Sequence, residues 1–165
     1  METTELRIRA ATPDDRAPLR ALLTGLSADS AYLRFQTGLG PVPGRAVLDA
    51  LLPTRARGRA LLGYVGSELV AHGIWVRSGA RAAEIGLVVA DAHQQQGIGA
   101  ELAVALMADL AEHGIERIEV FSGAGNDAVR RLVHRYAPHA VRVLDAGTVT
   151  YTFPVDRGVG RALAG

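Results

Sequence analysis

The sequence contains no cysteine. That excludes a disulfide scaffold, a cysteine nucleophile and a thiolate metal site. It contains no lysine either, all 18 basic residues being arginine, so lysine-directed modification cannot touch its side chains. Excess charge is also missing. Eighteen basic against 17 acidic residues leave a formal net charge of +1, which gives no electrostatic case for a nucleic-acid partner. No apolar run approaches the roughly 20 residues that span a bilayer, so no membrane partner is expected. Residues 1–5 lack the basic and apolar regions of a signal peptide. The five histidines are scattered without acidic residues at ligand spacing, so no metal is expected. Together these absences lead to the expectation of a soluble, cytoplasmic protein.

What is present is ordinary globular material. The 165 residues, 48% hydrophobic and 21% charged, suit one domain with its own core. Period-two alternation predicts strands over 6–10, 59–65, 69–76, 81–90, 115–121, 140–144 and 148–153. Helices are predicted after Thr12-Pro13-Asp14-Asp15, over 30–35 and 45–52, over 98–113 with Ile98, Leu102, Leu106 and Leu110 four apart, and over 126–136 behind the cap Asn126. Residues 38–44 read as a loop and 154–165 as a loose tail, leaving a single domain over 1–153. Three consecutive strands over 59–90 form an antiparallel meander. The strand–helix–strand that follows is a parallel crossover. The fold class is therefore α/β, a mixed, mostly antiparallel seven-stranded sheet with helices on both faces.

The chemistry concentrates in Glu84-Ile85-Gly86-Leu87-Val88-Val89-Ala90-Asp91-Ala92-His93-Gln94-Gln95-Gln96-Gly97-Ile98-Gly99. This runs strand, polar loop, glycines, long helix. Two glycines at the entrance let a ligand lie on unpaired backbone N–H groups where the helix dipole is positive, a site for phosphate or pyrophosphate. A tight turn would use the same glycines. The Walker pattern is excluded because it needs lysine. The dinucleotide pattern is excluded because Leu102 stands where its third glycine belongs.

Gln94-x-x-Gly97-x-Gly99 after a strand resembles the Gln/Arg-x-x-Gly-x-Gly/Ala signature of the GCN5-related N-acetyltransferase (GNAT) superfamily, and the element order matches over about residues 5–153. Ser30-Ala31-Tyr32-Leu33-Arg34-Phe35 and the stretch from Ala83 to Val89, followed by Asp91 and Gln94, resemble the acetyltransferase domain of bacterial Pat-type protein lysine acetyltransferases. The resemblance implies a GNAT fold whose parallel fourth and fifth strands splay apart to admit the pantetheine arm of acetyl-CoA, the co-substrate. It implies that Leu87, Val88 and Val89 bond that arm, with the N–H of Val88 or Val89 facing the oxyanion. Gln94 and the amides of Gln95, Gln96, Gly97, Ile98, Gly99 and Ala100 would hold the pyrophosphate, and Asn126 the pantetheine or diphosphate. Glu84 aligns with the usual general base. The acceptor is a protein lysine or, as the alternative, a small amine. A non-catalytic acyl-CoA-binding module is a third possibility.

The chain departs from the pattern in two places. Gln96 stands where Pat-type loops carry arginine, so a charge is missing there. Val133 stands where many members carry a tyrosine that protonates the leaving thiolate. Partner domains like those of many Pat proteins are not expected. Glu84 lies on an otherwise apolar strand, so burial is expected to raise its pKa toward a useful range. His93 is a lesser candidate base, and Arg130 or Arg131 could meet the 3′-phosphate. Arg34 is expected to brace helices or line the acceptor site. Tyr32, Phe35 and Trp75 are expected in the core or cleft wall. Either a monomer or a homodimer fits.

Overall fold

The computed structural model describes residues 5–35 and 43–156. The predicted loop over 38–44 lies mostly outside the described residues, as does most of the tail. Among the described residues seven strands form one sheet: β1 (Leu6–Ala10), β2 (Gly58–Val65), β3 (Glu68–Arg77), β4 (Ala82–Val89), β5 (Arg117–Gly123), β6 (Val141–Asp145) and β7 (Thr148–Pro154). Their order is β1-β2-β3-β4-β5-β7-β6. All neighbours are antiparallel except β4 and β5, which run parallel. That one parallel pair follows from the crossover helix α4 (Ile98–Glu112), since only a long connection returns a strand in the same direction.

The remaining helices are α1 (Arg16–Thr24), α2 (Ala28–Phe35), α3 (Arg45–Leu51) and α5 (Asp127–Tyr136). Strand alternation splits the core in two. Ala83 and Val89 face the side of α4, where they join Leu102, Leu106, Leu110 and Ile118. A second cluster, Leu19, Leu22, Leu23, Leu48, Leu51, Leu62 and Leu69, lies on the side of α1 and α3. Among the described residues no helix is long and apolar enough to cross a membrane.

Two local outcomes differ from the sequence pattern, each for a physical reason, and the closing hairpin turns where expected. The first helix opens with a separate 3₁₀ turn over Pro13–Asp15. Thr12 is its N-cap, as expected, and Asp15 answers it in a capping box: the Asp15 carboxylate accepts the Thr12 N–H at 2.7 Å, the Tyr64 hydroxyl at 2.9 Å and two bonds from Arg9. The Arg9 bonds above all hold this carboxyl well below the usual range, against the opposing effect of burial. The strand expected from 115 begins at Arg117 instead. Gly114, at φ +73°, turns the chain, and the Ile115 N–H closes the end of α4 on the Leu110 carbonyl at 3.1 Å, leaving it no ladder bond. The closing hairpin turns on Ala146 and Gly147, both at positive φ, the geometry that suits right-handed strand twist.

Two buried polar groups anchor the sheet to its helices. Trp75 is fully buried and donates its Nε1–H to Asp109 of α4 at 2.7 Å, and Arg59 Nε donates to the same oxygen at 3.0 Å. His72 is fully buried on β3. Its Nε2 bonds the Leu51 carbonyl at 2.9 Å, and because a carbonyl only accepts, Nε2 carries the proton. Its Nδ1 is buried with no hydrogen-bond partner among the described residues. Desolvation lowers the His72 pKa from 6.5 to about 4, the Leu51 bond opposing and the charge of Arg34 assisting.

A stability profile follows. Between pH 6.5 and 4 the unfolded chain binds a proton at this position that the folded chain refuses. Stability therefore falls on acidification through that window, by about 2 kcal/mol between roughly pH 7 and pH 5. Urea unfolding at the two pH values measures the loss. His72→Gln keeps a donor for Leu51 and cannot titrate, so it is expected to remove this part of the slope. An unchanged slope in that variant refutes the assignment.

Candidate active site

The register of the sheet opens a slot. β4 and β5 pair from Ala82↔Arg117 to Ile85↔Val120 and then part. Each strand keeps its other neighbour past that point, β4 to Ala71↔Val89 and β5 to Gly123↔Thr148. The inner edge of β4 over residues 86–89 thus has no strand beside it. The Ala90 N–H bonds the Val70 carbonyl at 2.8 Å, toward β3. Strand alternation then sends the amide of Val88 toward β3 as well, and turns those of Leu87 and Val89 into the slot. Of the three residues expected to bond an extended arm, two present their amides to it. Val88 contributes a buried side chain.

The slot broadens into a cleft of about 320 Å³, between β4, β5, α2, α4 and α5. Its upper lip is the loop from β4 to α4. The loop backbone is set by two left-handed residues, Gln95 at φ 61° and Gly97 at φ 83°. Gly97 is the N-cap of α4. Among the described residues the N–H groups of Gln95, Gln96 and Gly97 meet no acceptor, and those of Ile98, Gly99 and Ala100 are the unpaired donors of a first helical turn. Gly99 lies against Leu87 and Val89, so bare backbone faces the cleft there. The Gln94 side chain is already engaged. Its Nε2 donates to the Val89 carbonyl at 3.0 Å and to Ser30 Oγ at 3.1 Å. Asp91 completes the clamp by accepting from the Ser27 N–H at 3.1 Å and Ser30 Oγ at 3.0 Å. Burial opposes its ionisation, but the Ser27 and Ser30 bonds outweigh that and lower its pKa. The glutamine therefore shapes the loop and ties α2 to it. Gln96 reaches only the Ala92 carbonyl, at 3.4 Å.

At the other end of the cleft stand the charged groups. Glu84 lies on the α2 face of β4, beside Glu119 in the parallel register. The structure corrects the expected burial of Glu84: it is exposed, and it is not among the residues lining the cleft, although its neighbours Ile85 and Gly86 are. Arg34 comes from α2 and lies against Gly86. A Cβ on that glycine would stand 2.7 Å from the guanidinium carbon, so only glycine leaves Arg34 its place. Phe121, half exposed, and Arg131 also line the cleft.

Residues 31–137 match the model of the acetyltransferase (GNAT) family. The chain belongs to the GNAT acetyltransferase family. No curated protein matches it. Among solved structures it is similar to the GNAT domain of PAT from S. lividans, at 23% identity and a TM-score of 0.81, with 90% of each chain covered. It is similar to a cAMP-binding acyltransferase from Mycobacterium smegmatis, at 25% identity and a TM-score of 0.63, covering 94% of this chain and 46% of that one. It is also similar to RimL, a ribosomal L7/L12 alpha-N-protein acetyltransferase in complex with coenzyme A, at 21% identity and a TM-score of 0.73, covering 94% and 97%. The seven-stranded sheet with one parallel pair and flanking helices is the fold these share with the GNAT acetyltransferase described here.

Of the candidate residues of this acetyltransferase, Leu87, Val88, Val89, Gln94, Gln95, Gly99 and Asn126 line one cleft. Asn126 caps α5, its Oδ1 accepting the Val129 N–H at 3.2 Å. The two arginines of α5 separate: Arg131 lines the cleft, while Arg130 pairs with Asp127 at 2.9 Å. His93 also lines the cleft, its Nε2 3.8 Å from Glu68. Sequence reasoning missed Glu119, whose proximity to Glu84 depends on a long-range register. It also missed the Ser27–Ser30–Asp91 clamp, for which Ser27 and Ser30 at the start of α2 were the available signal.

Proposed function

We propose that the chain transfers an acetyl group from acetyl-CoA to a primary amine, with a protein lysine side chain as the acceptor. The observation that carries this is the unpaired inner edge of β4 leading directly to the free amides of the loop before α4. An extended thioester arm can lie along Leu87 and Val89 as a strand would, with its pyrophosphate on the amides of Gln95 to Ala100. The Val89 N–H serves the thioester oxygen as negative charge develops there. Asn126 holds the arm from α5. A lysine ammonium is about one part in a thousand neutral at pH 7, so a base must take its proton. Glu84 takes that role, directly or through water, from its exposed position on the acceptor side of β4. A protein acceptor is supported by the exposed apolar groups that line the cleft, Leu33 and Phe121, and by the likeness to the PAT domain.

Calorimetry with coenzyme A, followed by thiol release with acetyl-CoA and a panel of lysine peptides and small amines, tests the proposal. Binding together with turnover of peptides is the expected result. Turnover of small amines alone overturns the protein acceptor. Binding without turnover of any amine leaves an acyl-CoA-binding module, and no heat at millimolar coenzyme A removes the donor site.

A further inference from the structure

The cleft contains a cation that the proposed mechanism does not use. Arg34 lines it where β4 and β5 part, and its Nε is buried with no hydrogen-bond partner among the described residues. Among the described residues it forms no ion pair, so it does not brace the helices through a carboxylate. The ring of Phe35 lies 4.8 Å from its Cζ. Among the described residues Glu84 is the carboxylate whose charge reaches it, acting against a desolvation that pushes the guanidinium below its usual range. Nearby His72 is buried and neutral, and supplies no negative charge.

Burying the Nε–H of a guanidinium without an acceptor is costly, and arginine has no neutral form to escape into. Arginine is also the side chain whose planar fork matches a carboxylate in two parallel bonds. The backbone makes room for it: Gly86 is the residue on which the guanidinium lies, and any larger side chain there would displace it. A group so placed meets whatever part of a substrate reaches the parting of the strands.

We propose that Arg34, seated on Gly86 in the cleft, is a specificity-determining residue that binds a carboxylate carried by a substrate beside the reacting centre. The inference rests on the donor site proposed above. That carboxylate has two possible sources, the acceptor amine or the far end of the acyl chain. Each has a matched neutral probe. For the acceptor, free lysine is compared with lysinamide on protein saturated with coenzyme A. For the acyl chain, succinyl-CoA is compared with butyryl-CoA, which differs at the terminal carboxylate.

Calorimetric affinities for all four are measured on wild type, Arg34→Gln and Gly86→Ala, with melting curves to establish folding. In at least one pair the carboxylate-bearing member is expected to bind wild type about tenfold to a hundredfold more tightly, the range of a charge-assisted bond. Arg34→Gln is expected to erase that preference while changing the neutral member less than threefold, on the order of the scatter among surface substitutions. Gly86→Ala, by pushing the guanidinium aside, is expected to do the same. If the lysine pair shows the preference, the acceptor is the source, and if the succinyl pair shows it, the acyl chain is. Equal affinities within both pairs on wild type overturn the proposal, as does an equal loss for anionic and neutral members in Arg34→Gln. Coenzyme A giving no heat removes the donor site, and this inference falls with it. Coenzyme A binding without any carboxylate preference removes Arg34 alone.

Discussion

Gly99→Asp is expected to weaken coenzyme A binding about a hundredfold without lowering the melting temperature. The substituted side chain fits: a Cβ at this position would find Leu87 Cδ1 and Val89 Cγ2 at 3.8 Å, ordinary contact distance. Position 99 is the second residue of α4, where a carboxylate complements the positive end of the dipole, so the helix is not weakened. What changes is the charge presented to the cleft that Gly99 lines. One added negative charge a few ångströms from a diphosphate costs roughly 3 kcal/mol at the effective dielectric of a protein surface. Gly99→Asn, of the same shape and uncharged, separates electrostatics from bulk and is expected to lose far less. Calorimetry and melting curves on the three proteins measure this. Equal affinity of Gly99→Asp and wild type would move the pyrophosphate off this helix.

Glu84→Gln is expected to lower kcat by about 10²–10⁴ while leaving the affinity for coenzyme A nearly unchanged, the signature of losing a proton acceptor used in the chemical step. The comparison that gives this force is Glu119→Gln. The two carboxylates are neighbours in the parallel register and share the α2 face. Glu119 already has Arg117 at 3.4 Å, whereas Glu84 has no ion pair among the described residues. Glu119→Gln is therefore expected to stay within about threefold of wild type, the size of an ordinary surface substitution. Steady-state thiol release with the best acceptor from the panel gives both numbers. If Glu119→Gln shows the large loss and Glu84→Gln the small one, the base is on β5.

Much of this architecture could be read locally. The alternation in Leu6–Ala10 and the four-residue spacing from Ile98 to Leu110 each name an element without reference to anything distant. Asn126 capped α5 where its residue type and position said it would. The site was less legible because its key features are relations between segments far apart in the chain. The parting of β4 from β5 depends on how many residues pair before α4 separates the strands, and nothing in Ala82–Val89 encodes that count. Gln94 looked like a phosphate ligand, yet Ser30 and the Val89 carbonyl engage its side chain. The apolar run around Glu84 suggested burial, but its neighbours cover the α4 face. On its own face α2 lies over Gly86, leaving Glu84 exposed. Arg34 could be placed on a helix by sequence. That it would reach a cleft where no described carboxylate forms an ion pair with it is a fact of tertiary packing.

Trp75, the single tryptophan in the sequence, is sealed between the sheet and α4, with its indole nitrogen on Asp109 and its ring 5.3 Å from His113. It does not line the cleft. The protein thus carries an intrinsic fluorophore in its most protected layer, one whose emission follows the integrity of the β3–α4 junction and not the contents of the cleft. Unfolding can be followed optically in this chain with no added label, and a variant that loses ligand affinity while keeping the same emission maximum has lost only what happens at the cleft.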